Sequence, residues 1–459
     1  MLVDDVQGGS TSAVEPMDGD GLDARRWRSV MLWGAAVTAV FALVGGELMA
    51  AHIGALGPLT SLVRDYGGAP KSATTSWAGF GLALVGLRMR ERLVAVAAAV
   101  GIDAVFVAVR ALEGRGFTIG NGPTIVLTAL TVIVAMRWDG ERRRTALRAI
   151  AFGALLIFAT KVGEIWLDIT AWACPTVLDP YVQAADHVLG NPSWLVGRAL
   201  DAAGPVALGV VRWVYFELPL AAIIVAFWQL RGVTSGQWPR HYLVRTFLTL
   251  GLVGPLFYVV FPVVGPVLAY GSWGHGFEIA DVWPNVVPGA PDTLAPLRFD
   301  AVTPRNCMPS LHTAWALSLF IHSRRGPWWL RWGGAFWLVC TLVATLGLGA
   351  HYGIDLVVGA ALCLTVESVL RDPDRGWDRA RARMVALGAG LFAGVLLCIR
   401  FLAIPMARHP LPFGIVIVGA LAAVVTTFYV TWFAPTPDER TVTAQGVRTG
   451  RDVSESPGA

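Results

Sequence analysis

Long apolar runs dominate this chain. About twelve occur, near 29–50, 74–87, 93–112, 119–136, 146–170, 206–230, 243–270, 309–323, 333–350, 353–370, 384–404 and 412–433, and a transmembrane helix takes roughly 20 residues. Backbone polar groups in hydrocarbon must be paired internally, so spans of this kind are helices. The expected fold is all-α and polytopic, with about twelve transmembrane helices. Composition agrees: 55% of residues are hydrophobic, 15% are charged and mean hydropathy is +0.58, against about 25% charged in soluble domains. Five cysteines form no disulfide framework or zinc pattern. A secreted soluble domain, a coiled coil and a nucleic-acid reader are excluded, and the lipid bilayer is the first partner.

Basic residues alternate between the connecting loops. One set holds Arg25, Arg26 and Arg28, then Arg88, Arg90 and Arg92, then Arg142, Arg143 and Arg144. It continues with Arg231 and Arg240, with Arg324, Arg325 and Arg331, and with the run from Arg371 to Arg383. The other set holds isolated residues such as Arg64, Arg115, Arg198 and Arg298. The positive-inside rule assigns the first set, and both termini, to the cytoplasm of a plasma membrane protein. Residues 1–24 and 434–459 read as polar cytoplasmic tails, 25–145 as a four-helix membrane region and 371–433 as two C-terminal spans. Two outer loops are long, 171–205 and 271–308, and the first could hold an interfacial helix.

The second long loop ends in Arg305-Asn306-Cys307-Met308-Pro309-Ser310-Leu311-His312, and an apolar run follows at once. Ser310 is placed as a helix N-cap, and the free amides and dipole of that helix start suit a phosphate. About forty residues later comes His351-Tyr352-Gly353-Ile354-Asp355. His351 and Asp355 share a helical face at four-residue spacing. A carboxylate bonded to one imidazole nitrogen leaves the other as nucleophile or base. The charge pattern puts both histidines at the outer face.

Pro309-Ser310-Leu311-His312 followed by His351-Tyr352-x-x-Asp355 resembles the type 2 phosphatidic acid phosphatase superfamily, whose usual signatures are PSGH and SRxxxxxHxxxD. Leu311, the His351-Tyr352 pair and the stretch Phe257–Pro266 are closer to its inositol phosphorylceramide synthase-like branch. The similarity covers roughly 146–370, which it implies is a six-helix catalytic unit. It implies that His351 attacks phosphorus and becomes a phosphohistidine, that Asp355 orients it, and that His312 serves as acid and then base. Ser310 and Tyr352 would contribute to substrate binding, without metal or cofactor. The superfamily's Lys-x6-Arg-Pro motif is missing, and Thr345 stands where an arginine precedes the nucleophile. Arg305, and after it Arg298, are the candidate replacements, because a phosphoryl group needs cationic partners.

This resemblance implies a membrane phosphotransferase acting on a lipid headgroup phosphate, such as transfer of phosphoinositol to a lipid or glycan hydroxyl. The alternative is hydrolysis of phosphatidate or a polyprenyl phosphate or diphosphate. A twelve-helix transporter is the rival of another class. Lys161, Glu164 and Asp168 share one face of the fifth span. They are read either as a Lys161–Glu164 pair with a neighbour or as a headgroup site. Cys174 and Cys307 both fall in outer loops, where a disulfide could form.

Overall fold

The computed structural model of the chain describes residues 19–235, 237–271 and 282–433. Its first part comprises α1 (Gly19–Ile53), α2 (Pro58–Gly67), α3 (Ala73–Leu84), α4 (Met89–Leu112), α5 (Asn121–Arg137) and α6 (Gly140–Ala173). Residues 19–24, expected in the tail, are helical, since no proline falls between Gly19 and Pro58. The rest of both expected tails lies outside the described residues. Pro58 opens α2 after an 87° bend from α1.

The α3–α6 crossing needs glycine. A Cβ on Gly79 would lie 2.6 Å from the Gly153 carbonyl oxygen, so only two glycines let the backbones meet there. Phe80, Leu84, Leu127, Ile150 and Ile157 form the core around it. Asp103, buried on α4, accepts from the amides of Gly120 at 3.0 Å and Gly122 at 2.7 Å, where α5 begins. A carboxylate at a helix start is favoured by the dipole and its free amides.

The second part runs through β1 (Thr176–Val177), α7 (Asp179–Asp186), α8 (Pro192–Phe216), α9 (Leu218–Leu230), α10 (Leu243–Val253), α11 (Phe257–Val260) and α12 (Pro266–Ala269). It continues with β2 (Leu297–Arg298), α13 (Leu311–Ser323), α14 (Trp328–Gly347), α15 (Gly353–Leu370), α16 (Arg379–Arg408) and α17 (Pro410–Trp432). β1 and β2 pair antiparallel, Thr176 opposite Arg298. Trp194, Leu250, Tyr258, Met308, Ile354, Ile399 and Phe428 belong to one core, which α16 and α17 share.

The fold is that of an all-α polytopic membrane protein. Among the described residues, nine helices are long and apolar enough to cross a membrane, or ten if α1 and α2 form one bent span. The runs near 74–87, 119–136 and 309–323 become shorter helices of 12, 17 and 13 residues. The run 206–230 is two helices rather than one. Glu217 separates α8 from α9, and α8 starts at Pro192, inside the expected outer loop. Gly204, at φ +83° before Pro205, kinks α8 and lets it turn.

Candidate active site

Two helix starts meet in the core of the second part. Ser310 caps α13, its Oγ accepting from the Thr313 amide at 3.3 Å, an arrangement worth about 1 kcal/mol. His312 follows in the first turn, stacked on Tyr215 of α8 with centroids 3.9 Å apart. α15 lies close beside this turn, because a Cβ on Gly359 would fall 2.4 Å from the Ser310 carbonyl oxygen. His351 sits in the short link between α14 and α15, and Asp355 in the first turn of α15.

The geometry joins the two motifs. The His351 Nδ1 is 3.4 Å from Asp355 Oδ2, and the rings of His351 and His312 are 6.2 Å apart. Asp355 Oδ2 also accepts from the Tyr352 amide at 2.9 Å. His351 and Asp355 are buried. Burial pushes the His351 imidazole down to about 4, because desolvation disfavours the charged ring. A neutral ring with a carboxylate beside Nδ1 keeps an Nε2 lone pair for attack on phosphorus.

α7 braces this region from the segment between α6 and α8. Asp179 accepts from the amides of Val264 at 3.0 Å and Gly265 at 2.9 Å, and from the Tyr352 hydroxyl at 2.9 Å. Asp186 Oδ1 accepts from the Ile354 amide at 2.8 Å, at the start of α15. Burial raises Asp179 to about 6 and Asp186 to about 7. Sequence reasoning placed both aspartates in a loop and assigned them nothing. The Asp179-Pro180 pair signals a helix start, but no local pattern shows that its carboxylate turns inward.

Other expected residues lie elsewhere. Arg305 is buried, and its guanidinium donates to the carbonyls of Ala171, Cys174, Asp300 and Thr303. It ties α6 to the loop before α13 through these backbone carbonyls. Arg298 lies exposed in β2. Tyr352 is buried with its hydroxyl committed to Asp179, so it braces the site rather than facing a substrate. Lys161 pairs with Asp65 at 2.8 Å, not with Glu164, which faces Lys71 at 3.6 Å. Glu164 and Asp168 line a cavity of about 270 Å³ with Ser61, Arg64, Asp65 and Lys71, and neither histidine borders it.

Cys174 and Cys307 are both free. The Cys174 thiol faces the Val259 carbonyl at 3.8 Å. Cys307 instead enters the site, its thiol donating to Asp355 Oδ2 at 2.7 Å. Sequence reasoning missed this contact, because nothing local fixes the direction of a side chain three residues before the cap.

Comparison with known proteins places two families on the chain. Residues 31–169 match a family described as a domain of unknown function, and residues 182–368 match the PAP2 superfamily. No curated protein and no solved structure matches the chain. The second match contains Ser310, His312, His351 and Asp355 and supports, for residues 182–368, the type 2 phosphatidic acid phosphatase superfamily of enzymes acting on phosphate esters.

Proposed function

We propose that this protein is a membrane phosphotransferase that works on a lipid headgroup phosphate through a phosphohistidine at His351. The observation that carries the reading is the facing of His351 and His312, 6.2 Å apart, with Asp355 behind the Nδ1 of the first. Asp355 holds the Nδ1–H, and Nε2 attacks phosphorus. The N–P bond forms as the P–O bond to the leaving group breaks, and His312 protonates the departing oxygen. His312 then takes the proton of an acceptor hydroxyl, whose oxygen attacks phosphorus and frees His351. Acid–base help of this kind is worth about 10² to 10⁴-fold. The active site faces the extracytoplasmic side of the plasma membrane, with both termini cytoplasmic, as the alternation of basic loops suggests.

The acceptor is a lipid or glycan hydroxyl, and the transferred group is phosphoinositol. Two observations support this over hydrolysis of phosphatidate or of a polyprenyl phosphate or diphosphate. The motifs resemble the inositol phosphorylceramide synthase-like branch. Arg305, the first candidate to hold a dianion, is committed to carbonyls, and a phosphodiester carries less charge than a monoester. The test is the purified protein with phospholipids labelled in headgroup and phosphate, scored for free phosphate against headgroup transfer. Transfer that disappears in His351→Ala is the expected result. Full activity of that variant would remove the mechanism.

A further inference from the structure

The thiol of Cys307 lies between the expected nucleophile and its carboxylate. It is 2.7 Å from Asp355 Oδ2, 3.4 Å from His351 Nδ1 and 3.3 Å from the Ala350 carbonyl oxygen. One sulfur, one nitrogen and one oxygen thus converge, all within 4.8 Å of one another and all buried. Asp355 Oδ1 is buried as well and has no hydrogen-bond partner. Bond lengths of about 2.0–2.3 Å to a tetrahedral zinc put its ligand atoms roughly 3.3–3.8 Å apart. The Nδ1–Sγ and Nδ1–Oδ2 separations, both 3.4 Å, already match. The third is shorter because a thiol proton bridges it, and it opens when that proton leaves.

We propose that Cys307, His351 and Asp355 form an inhibitory site for a thiophilic divalent cation, zinc or cadmium. Thiolate and carboxylate cancel the double charge of the cation, which suits a buried site, and soft sulfur beside imidazole selects this class of metal. The balance is simple. The cation bonds Sγ, Oδ2 and Nδ1, the thiol proton leaves to solvent, and the Nδ1 proton is replaced by one on Nε2. The ring stays neutral, but its attacking nitrogen is now capped by hydrogen. This consequence rests on the phosphohistidine reading; the metal site does not.

A second cluster shows the contrast. Glu367 receives His241 Nε2 at 2.9 Å and His322 Nε2 at 2.8 Å. The Leu243 amide fixes Gln229 Oε1, so Gln229 Nε2 donates to His322 Nδ1 at 2.9 Å. His322 must then carry its proton on Nε2, toward Glu367. That cluster is a proton network, and a cation there would have to break it.

The full chain, purified in lipid nanodiscs, is titrated with Cd²⁺ and read by sulfur-to-cadmium charge-transfer absorption. Zn²⁺ inhibition of the enzyme is measured in parallel. The expected result is a band at one equivalent that Cys307→Ala and Cys307→Ser both lose, although their other four cysteines remain. The Zn²⁺ concentration for half-inhibition, relative to each variant's own metal-free rate, should rise about tenfold or more in both. Cys307→Ser keeps the size and the donor, so a melting curve shows whether it folds. An equal band or equal inhibition in wild type and variants overturns the proposal, and so does activation by Zn²⁺. A Cys307-dependent band together with full activity in His351→Ala would keep the metal site and remove the phosphohistidine.

Discussion

The Tyr352 hydroxyl donates to Asp179 Oδ1 over 2.9 Å, across 173 residues of sequence. Tyr352 stands between His351 and the start of α15, so this bond fixes the peptide that carries the expected nucleophile to α7. The same aspartate also takes the amides of Val264 and Gly265. One buried carboxylate therefore ties α7 to two backbone segments around the site.

Tyr352→Phe removes that bond while leaving the ring in place. Stability should fall by about 1–3 kcal/mol, the cost of a buried acceptor losing a donor. Turnover should drop by about an order of magnitude or more through kcat, because small misplacements of a nucleophile are costly. Chemical denaturation and steady-state kinetics on one preparation check both. Unchanged kcat would show that the tether does not position His351.

Loss of His312 should act on the leaving group. His312→Ala is expected to slow transfer about 10² to 10⁴-fold with a natural lipid leaving group. A nitrophenyl ester, which needs no proton on departure, should recover most of its burst of released phenol. Equal losses on both substrates would deny His312 the role of acid.

Burial holds the His351 imidazole down at about 4 rather than 6.5. The acid limb of kcat/KM should therefore lie well below the ordinary imidazole range, with His351 still a nucleophile at pH 5. For stability the sign is that of a buried neutral base. Between about pH 4 and 6.5 only the unfolded chain binds this proton, so the His351 contribution falls as pH falls through that window. A pH–rate profile extended to pH 4 checks the first statement.

Asp186 has the opposite sign. Its carboxyl is raised to about 7 from 3.8 by burial, so the folded chain holds a proton that the unfolded chain has released. The Asp186 contribution is fully present below pH 3.8 and is lost as pH rises through about 7. Asp186→Asn keeps an acceptor for the Ile354 amide without the charge. Its melting temperature should exceed wild type at pH 8 and match it near pH 4. A variant no more stable at pH 8 would remove this account.

Arg305→Lys separates a brace from a phosphate ligand. A lysine cannot reproduce a planar fork bonded to the carbonyls of Ala171, Cys174, Asp300 and Thr303. We expect a stability loss of about 1–3 kcal/mol with KM for the phospholipid little changed. A KM rise above tenfold with unchanged melting would return Arg305 to the substrate.

Much of the candidate site was legible because its signals are local. Ser310 and His312 are a cap and its first turn, and His351 and Asp355 a four-residue repeat. Each needs only the geometry of one helix end. The identity of partners was not local. Lys161 chose Asp65 over Glu164, since α2 brings a buried carboxylate closer than its own helix does. Cys307 faced Asp355 rather than Cys174, since the loop before α13 enters the core instead of lying over it.

By itself, the sequence determined an all-helical membrane protein and the residues that open α13 and α15, because hydropathy, helix period and capping act within a few residues. Only the tertiary structure decided that α8 and α9 part at Glu217, that Arg305 is a brace, and that Asp179, Asp186 and Cys307 surround the histidines. Those outcomes depend on which buried groups meet across long stretches of chain, from 48 residues between Cys307 and Asp355 to 173 between Asp179 and Tyr352, where most polar atoms removed from water find a partner.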